Sequence, residues 1–207
     1  MSEGSISVDR TTELLANCAW MLGFDRAVNL CHLVFQTESV AGAIVEFGTA
    51  KGTTAMLMTH LSRRQVYVYD SFEGLPEIPE GERVHPGWKK GTFAYPVEDL
   101  LGGFKKYELP LPVIYKGWFK DVPAECLPAR ISFAHLDGDL YESTYDALSK
   151  VYDRLARGAV CVIDDYGWEL AQGVEAACLE FLRDKPEEII PLCTRPGQGS
   201  HACFIKE

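Results

Sequence analysis

No two cysteines in this sequence are spaced as Cys-x-x-Cys, and the seven present are an odd number: Cys18, Cys31, Cys126, Cys161, Cys178, Cys193 and Cys203. That pattern argues against a zinc knuckle and against a disulfide framework. Several of these thiols lie in apolar runs, where cysteine acts as a small core residue, so a reducing compartment is expected. Basic blocks are also missing. Arg63-Arg64 and Lys105-Lys106 are short pairs in a chain of net charge −10. A surface of that sign repels phosphates, so nucleic acid is not an expected partner. No apolar run approaches the ~20 residues of a membrane helix. The polar start, MSEGSISVDR, lacks the pattern of a signal peptide. The expectation is a cytoplasmic protein with no membrane partner.

What remains is ordinary for a globular chain. Apolar residues make up 47% and charged residues 24% of 207, enough for one domain with its own core. Residues 1–40 read as a helical extension: Leu14, Leu15, Cys18, Met21 and Leu22 recur at helical spacing, and Gly23 divides them from Val28, Leu30, Leu33 and Val34. These helices are a candidate dimer surface. From residue 43 onward, short strands alternate with helices. Strands are expected at 43–47, 66–70, 111–117, 131–137 and 159–165, with helices at 53–62, 143–155 and 171–184. Two last strands, 188–193 and 201–207, flank the turn-rich RPGQGS and should form an antiparallel hairpin. The pattern is a doubly wound, mainly parallel α/β sheet of seven strands. Residues 71–92 (SFEGLPEIPEGERVHPGWKKGT) are too long and too rich in Gly and Pro for an idle connection. They suit a lid loop or a surface insertion.

In such a sheet, ligands bind beyond the carboxyl ends of the strands. The first strand ends in Glu46-Phe47-Gly48-Thr49-Ala50-Lys51-Gly52-Thr53-Thr54, a glycine turn that opens a helix and can approach an anionic group. The GxGxxG spacing of dinucleotide binders is absent. The second strand ends in Asp70-Ser71, 22 positions after Gly48. An acid there can accept hydrogen bonds from ribose hydroxyls. The fourth ends in His135-Leu136-Asp137-Gly138-Asp139, and the fifth in Asp164-Asp165. These two strands should be neighbours, so their carboxylates should converge. Free carboxylates crowded together repel strongly, and a divalent cation with oxygen ligands (Mg2+, Mn2+ or Ca2+) relieves that. Asp139 and Asp165 are also placed to cap a helix or turn. His135 is a candidate acid/base group or a core histidine. His85 is a loop residue within reach of a substrate.

The runs VEFGTAKGTTA, YVYDSFEGLP, FAHLDGDLYESTYDAL and VIDDYG occur in this order within residues 43–181. They resemble the macrocin O-methyltransferase family, the TylF/MycF type of class I methyltransferases. The resemblance implies a Rossmann-like α/β fold, S-adenosyl-L-methionine as cofactor, Mg2+ or Mn2+, and a small-molecule hydroxyl acceptor such as a natural product, sugar or other diol. It implies that Glu46, Gly48, Gly52 and Thr54 line the methionine end of the cofactor, and that Asp70 and Ser71 meet the ribose. Gly117 and Trp118 would lie near the adenine, and Asp137, Asp164 and Asp165 would hold the metal. Asp139 and His135 are then the candidate bases. Ala50-Lys51 stands where relatives carry an aromatic-arginine pair. The competing readings are a nicotinamide-dependent oxidoreductase, a non-catalytic module binding the same cofactor, and a metal-dependent hydrolase.

Overall fold

The computed structural model describes residues 8–192 and 201–207. Seven strands form one sheet: β1 (Ala43–Phe47), β2 (Val66–Asp70), β3 (Val113–Lys116), β4 (Ile131–Leu136), β5 (Leu155–Asp164), β6 (Ile190–Leu192) and β7 (His201–Ile205). Their spatial order is β3-β2-β1-β4-β5-β7-β6. β1 to β5 pair in parallel, and β7 runs antiparallel between β5 and β6. The expected hairpin is therefore present as paired strands. Its turn, RPGQGS, and Cys193 lie outside the described residues.

Helices cover both faces. α1 (Val8–Leu22), α2 (Phe24–Gln36), α3 (Thr53–Leu61) and α4 (Val97–Lys106) pack on one side; α5 (Tyr141–Val151) and α6 (Gln172–Leu182) pack on the other. Strand alternation feeds both layers. In β1, Ile44 enters the first core and Val45 and Phe47 the second; in β7, Cys203 enters the first and Ala202 and Phe204 the second. β4 is buried at all six positions, as expected of a parallel strand sandwiched by helices. Among the described residues, no helix is long and apolar enough to cross a membrane.

Two differences from the sequence expectations stand out. β5 begins at Leu155, four residues earlier than its apolar run suggests. α4 has no counterpart among the expected helices because Gly102-Gly103 lies in its interior, where glycine costs about 1 kcal/mol relative to alanine. Packing explains the cost at one of them. A Cβ on Gly103 would stand 2.7 Å from Met56 Sδ on α3.

Candidate active site

The strand order reverses between β1 and β4, and the crevice at that switch point is where ligands enter such sheets. Here it opens into a cavity of about 490 Å3, within the usual range for a small-molecule site. The wall is built by strand ends. Gly48 follows β1 at φ +84, and a Cβ on it would fall 2.0 Å from the Asp137 carbonyl oxygen. Only glycine lets the β1 turn lie against the end of β4. The backbone completes the joint: Asp137 N donates to Phe47 O at 2.8 Å, and Gly48 N to Tyr69 O at 2.9 Å.

Asp70 closes the next corner. Its Oδ2 accepts from the backbone N–H of Thr49 at 2.8 Å and Ala50 at 3.0 Å; its Oδ1 accepts from that of Phe72 at 2.6 Å. The carboxylate thus ties the loops after β1 and β2 together while facing the cavity. A carboxylate offers about four lone-pair sites, so acceptor capacity remains. Gly48, Thr54, Ser71 and Trp118 also line the cavity. Gly52 and Gly117 act through backbone. Gly52 starts α3 at φ +78, and Gly117 N donates to Asp70 O at 2.8 Å, setting Trp118 beside it.

Glu46 and His135 meet each other instead of the cavity. They face across the β1–β4 pair, both buried, with His135 Nδ1 2.9 Å from Glu46 Oε1; Glu46 Oε2 accepts from the Thr49 hydroxyl at 2.6 Å. Burial pulls the His135 pKa down, but the Glu46 hydrogen bond and charge, with Asp164 and Asp137, outweigh it and push it up to about 8. Neither side chain is part of the cavity lining. Their place is one layer behind it, joining β1 to β4 and steering the turn through Thr49.

The carboxylates do converge. Asp137, Asp139, Asp164 and Asp165 all line the cavity. Asp137, Asp139 and Asp165 each offer an oxygen within 4.8 Å of the others, a compact all-oxygen donor set that fits one hard divalent cation. Asp164, expected to hold the metal, lies beside this trio, and Asp139, expected as a base, lies within it. Arg26 Nη1 donates to Asp164 Oδ2 at 2.8 Å and to Asp165 Oδ1 at 2.9 Å. Burial and the charges of the other aspartates push Asp137 and Asp139 well above the carboxylate range. Asp165 is pushed up to about 7 by burial and by Asp164, with Arg26 pulling back. Asp139 and Asp165 both hold positive φ, at 60° and 57°. Such left-handed backbone is strained and concentrates at functional sites.

Sequence reading missed Arg26. Its signal was present: Arg26, Leu30, Leu33 and Val34 share a helical face, and the three apolar residues are buried. A charge on a core-facing stripe calls for a buried partner. Apart from His85, the aromatic rings around the site were missed as well. Residues 75–93 supply Leu75, Pro76, His85, Trp88 and Phe93 to the cavity, and Trp168 comes from the turn after β5. The segment is fastened at two points. Glu82 Oε1 accepts from the N–H of Tyr141 at 2.7 Å, capping α5, and Val84 bridges Ala171.

Comparison with known proteins agrees with this geometry. A model of the macrocin O-methyltransferase (TylF) family matches residues 12–189. An 8-demethyl-8-(2,3-dimethoxy-alpha-L-rhamnosyl)-tetracenomycin-C 4'-O-methyltransferase of Streptomyces olivaceus is 36% identical over 70% of this chain. A demethyldecarbamoylnovobiocin O-methyltransferase of Streptomyces niveus is 32% identical over 73%. The matched stretches span 62% and 63% of those relatives' lengths. The solved O-methyltransferase NovP superposes with a TM-score of 0.76 at 25% identity, covering 90% of this chain and 81% of that one. The sheet is that of class I Rossmann-like O-methyltransferases, and the chain belongs to the macrocin O-methyltransferase (TylF) family.

Proposed function

We propose that this protein is an S-adenosylmethionine-dependent O-methyltransferase acting on a hydroxyl of a small natural-product, sugar or other diol acceptor, assisted by one Mg2+ or Mn2+. One observation carries the reading: the four aspartates ending β4 and β5 share a cavity with the glycine turn after β1 and with Asp70. A nicotinamide site leaves those aspartates unexplained, and a hydrolase leaves the β1 turn and Asp70 idle.

Gly48, Thr54, Asp70, Ser71 and Trp118 would hold the cofactor. Asp137, Asp139 and Asp165 would hold the cation, with Asp164 steadied by Arg26. When bound, the cofactor supplies an activated methyl group, and the cation supplies Lewis-acid polarisation of two neighbouring acceptor oxygens. The protein's own residues do the rest. The turn at Gly48 and the carboxylates fix two partners in one orientation, which is worth roughly 7–11 kcal/mol of a bimolecular barrier. Trp88, Phe93 and Trp168 exclude water. His135 holds β4 against β1 through Glu46 and serves as a positioning residue.

The test is methyl transfer from S-adenosylmethionine to sugar-diol and catechol acceptors with Mg2+ and with EDTA, beside calorimetry with S-adenosylhomocysteine and NAD. Binding of S-adenosylhomocysteine but not NAD, and activity abolished by EDTA and by Asp165→Ala, are expected. Activity indifferent to EDTA would remove the cation from the mechanism; tight NAD binding would overturn the reading.

A further inference from the structure

Arg26 reaches the aspartate cluster from α2, outside the sheet. α2 buries Ala27, Leu30, Leu33 and Val34, and two polar side chains on that side of the helix meet the ends of β5 and β7. Asn29 Nδ2 lies 3.2 Å from His201 Nε2, and His201 stands opposite Asp164 in the β5–β7 pair. Arg26, one turn earlier, puts a single nitrogen on both carboxylates: Nη1 donates to Asp164 Oδ2 at 2.8 Å and to Asp165 Oδ1 at 2.9 Å. Its Nε donates to Leu22 O at the end of α1, so the guanidinium is anchored at its base and committed to the aspartates at its tip.

One cation between two carboxylates stands where a divalent ion is also drawn. Among the described residues, the cationic side chains lining the cavity are Arg26 and Lys120. Lys120 follows β3, at the far end of the parallel run from β5. Arg26 is thus the charge that faces the carboxylates after β4 and β5. A cation bound to an Asp165 oxygen sits within roughly 7 Å of Nη1, given metal–oxygen distances of about 2.1 Å. The arginine and both aspartates are largely buried, and like charges that close repel strongly where water is scarce. The oxygens conflict as well. Asp164 Oδ2 and Asp165 Oδ1 are engaged by the guanidinium, and Asp164 stands outside the compact trio of Asp137, Asp139 and Asp165.

We propose that Arg26 is a built-in rival of the divalent ion: a positioning residue that holds Asp164 and Asp165 while the metal is away and yields part of that contact when it binds. This rests on the metal-assisted reading above and adds how the metal is regulated. Parting the ion pair opposes metal binding, so the cation is exchangeable, and the cluster keeps a counter-charge whenever the ion leaves.

The experiment is Mn2+ binding to the full chain, without cofactor or acceptor, read from the electron paramagnetic resonance signal of free Mn2+. Arg26→Met removes the rival charge and frees both carboxylates, so Mn2+ should bind at least about tenfold more tightly than to the wild type. Arg26→Lys keeps a positive charge and should stay within about threefold of the wild type. An arginine that merely orients the carboxylates gives the opposite sign, because its loss weakens metal binding. Unchanged or weaker binding in Arg26→Met overturns the proposal, and so does Arg26→Lys binding as tightly as Arg26→Met. Circular dichroism checks the fold of each variant. A second measurement needs the wild type alone. In EDTA the guanidinium N–H resonances of Arg26 should exchange slowly with water, and saturating Mg2+ should shift them and speed their exchange; resonances unmoved by Mg2+ overturn the proposal. If Mn2+ binds to no form while S-adenosylhomocysteine binds the wild type, the metal role and this proposal fall and the methyltransferase reading stands. If S-adenosylhomocysteine does not bind, the methyltransferase reading falls, and the Mn2+ comparison still decides the role of Arg26.

Discussion

Asp139 and Asp165 combine strained backbone with crowded charge, and both costs are relieved by losing function. Asp139→Asn relieves the cost of burying and crowding this carboxyl, so the metal-free protein should gain about 1–2 kcal/mol in denaturant unfolding while methyl transfer falls. A loss of stability in that variant would mean the cluster is not electrostatically frustrated. Arg26→Met acts in the other direction. Its guanidinium satisfies Asp164 and Asp165 while its side chain is 16% exposed. Removing one partner of such a pair costs roughly 3–5 kcal/mol. With EDTA present the variant should unfold earlier by that order, and Mg2+ should restore part of the difference. An unchanged midpoint in EDTA would show that Arg26 is a bystander. The aspartates were legible because strand-end position follows from alternation alone. Arg26 was not, because its partners lie 138 and 139 residues away in sequence.

Elements with one strong period were easy to read; those shaped by tertiary contact were not. β1 and β2 have the ends their apolar runs suggest, and the Gly23 break between α1 and α2 falls where expected. α4 was hidden by paired glycines, and the attachment of residues 71–92 depends on Glu82 reaching a helix far along the chain. Glu82→Ala uncaps α5 and should cost about 1 kcal/mol, with faster amide exchange across residues 75–93. Unchanged exchange there would mean the segment is held without Glu82. The sheet's far edge has its own tie. Buried Glu187 meets Lys206 Nζ at 2.5 Å and the Tyr152 hydroxyl at 2.5 Å. Burial alone would raise the Glu187 pKa, but these two hydrogen bonds bring it below its ordinary value. A carboxyl lowered on folding stabilises above its unfolded pKa and loses that contribution as pH falls through the folded one. Lys206→Met should therefore cost on the order of 2–4 kcal/mol at neutral pH and little at pH 2–3. Equal cost at both pH values would assign the loss to packing.

At the scale of the whole molecule, the site sets the pH response. Asp165 is raised from 3.8 to about 7 and His135 from 6.5 to about 8. A group raised on folding stabilises below its unfolded pKa and loses that contribution as pH rises through the folded one. Asp137 and Asp139 shift the same way. His201, lowered by burial to about 4, opposes them only below its ordinary value of 6.5. The metal-free protein should thus melt at lower temperature at pH 8.5 than at pH 6, and the gain in Tm on adding Mg2+ should be larger at pH 8.5. A flat Tm across that range in EDTA would contradict the clustering.

The span between Arg26 and Asp164 also orders events during synthesis. α3, against which α1 and α2 pack, follows them closely in sequence. The carboxylates come much later: at ~5–20 residues per second, 138 residues take roughly 7–28 s. Throughout that interval on the ribosome the Arg26 guanidinium has neither Asp164 nor Asp165 to meet it. The ion pair is thus a late contact: it forms only after β5 has cleared the exit tunnel.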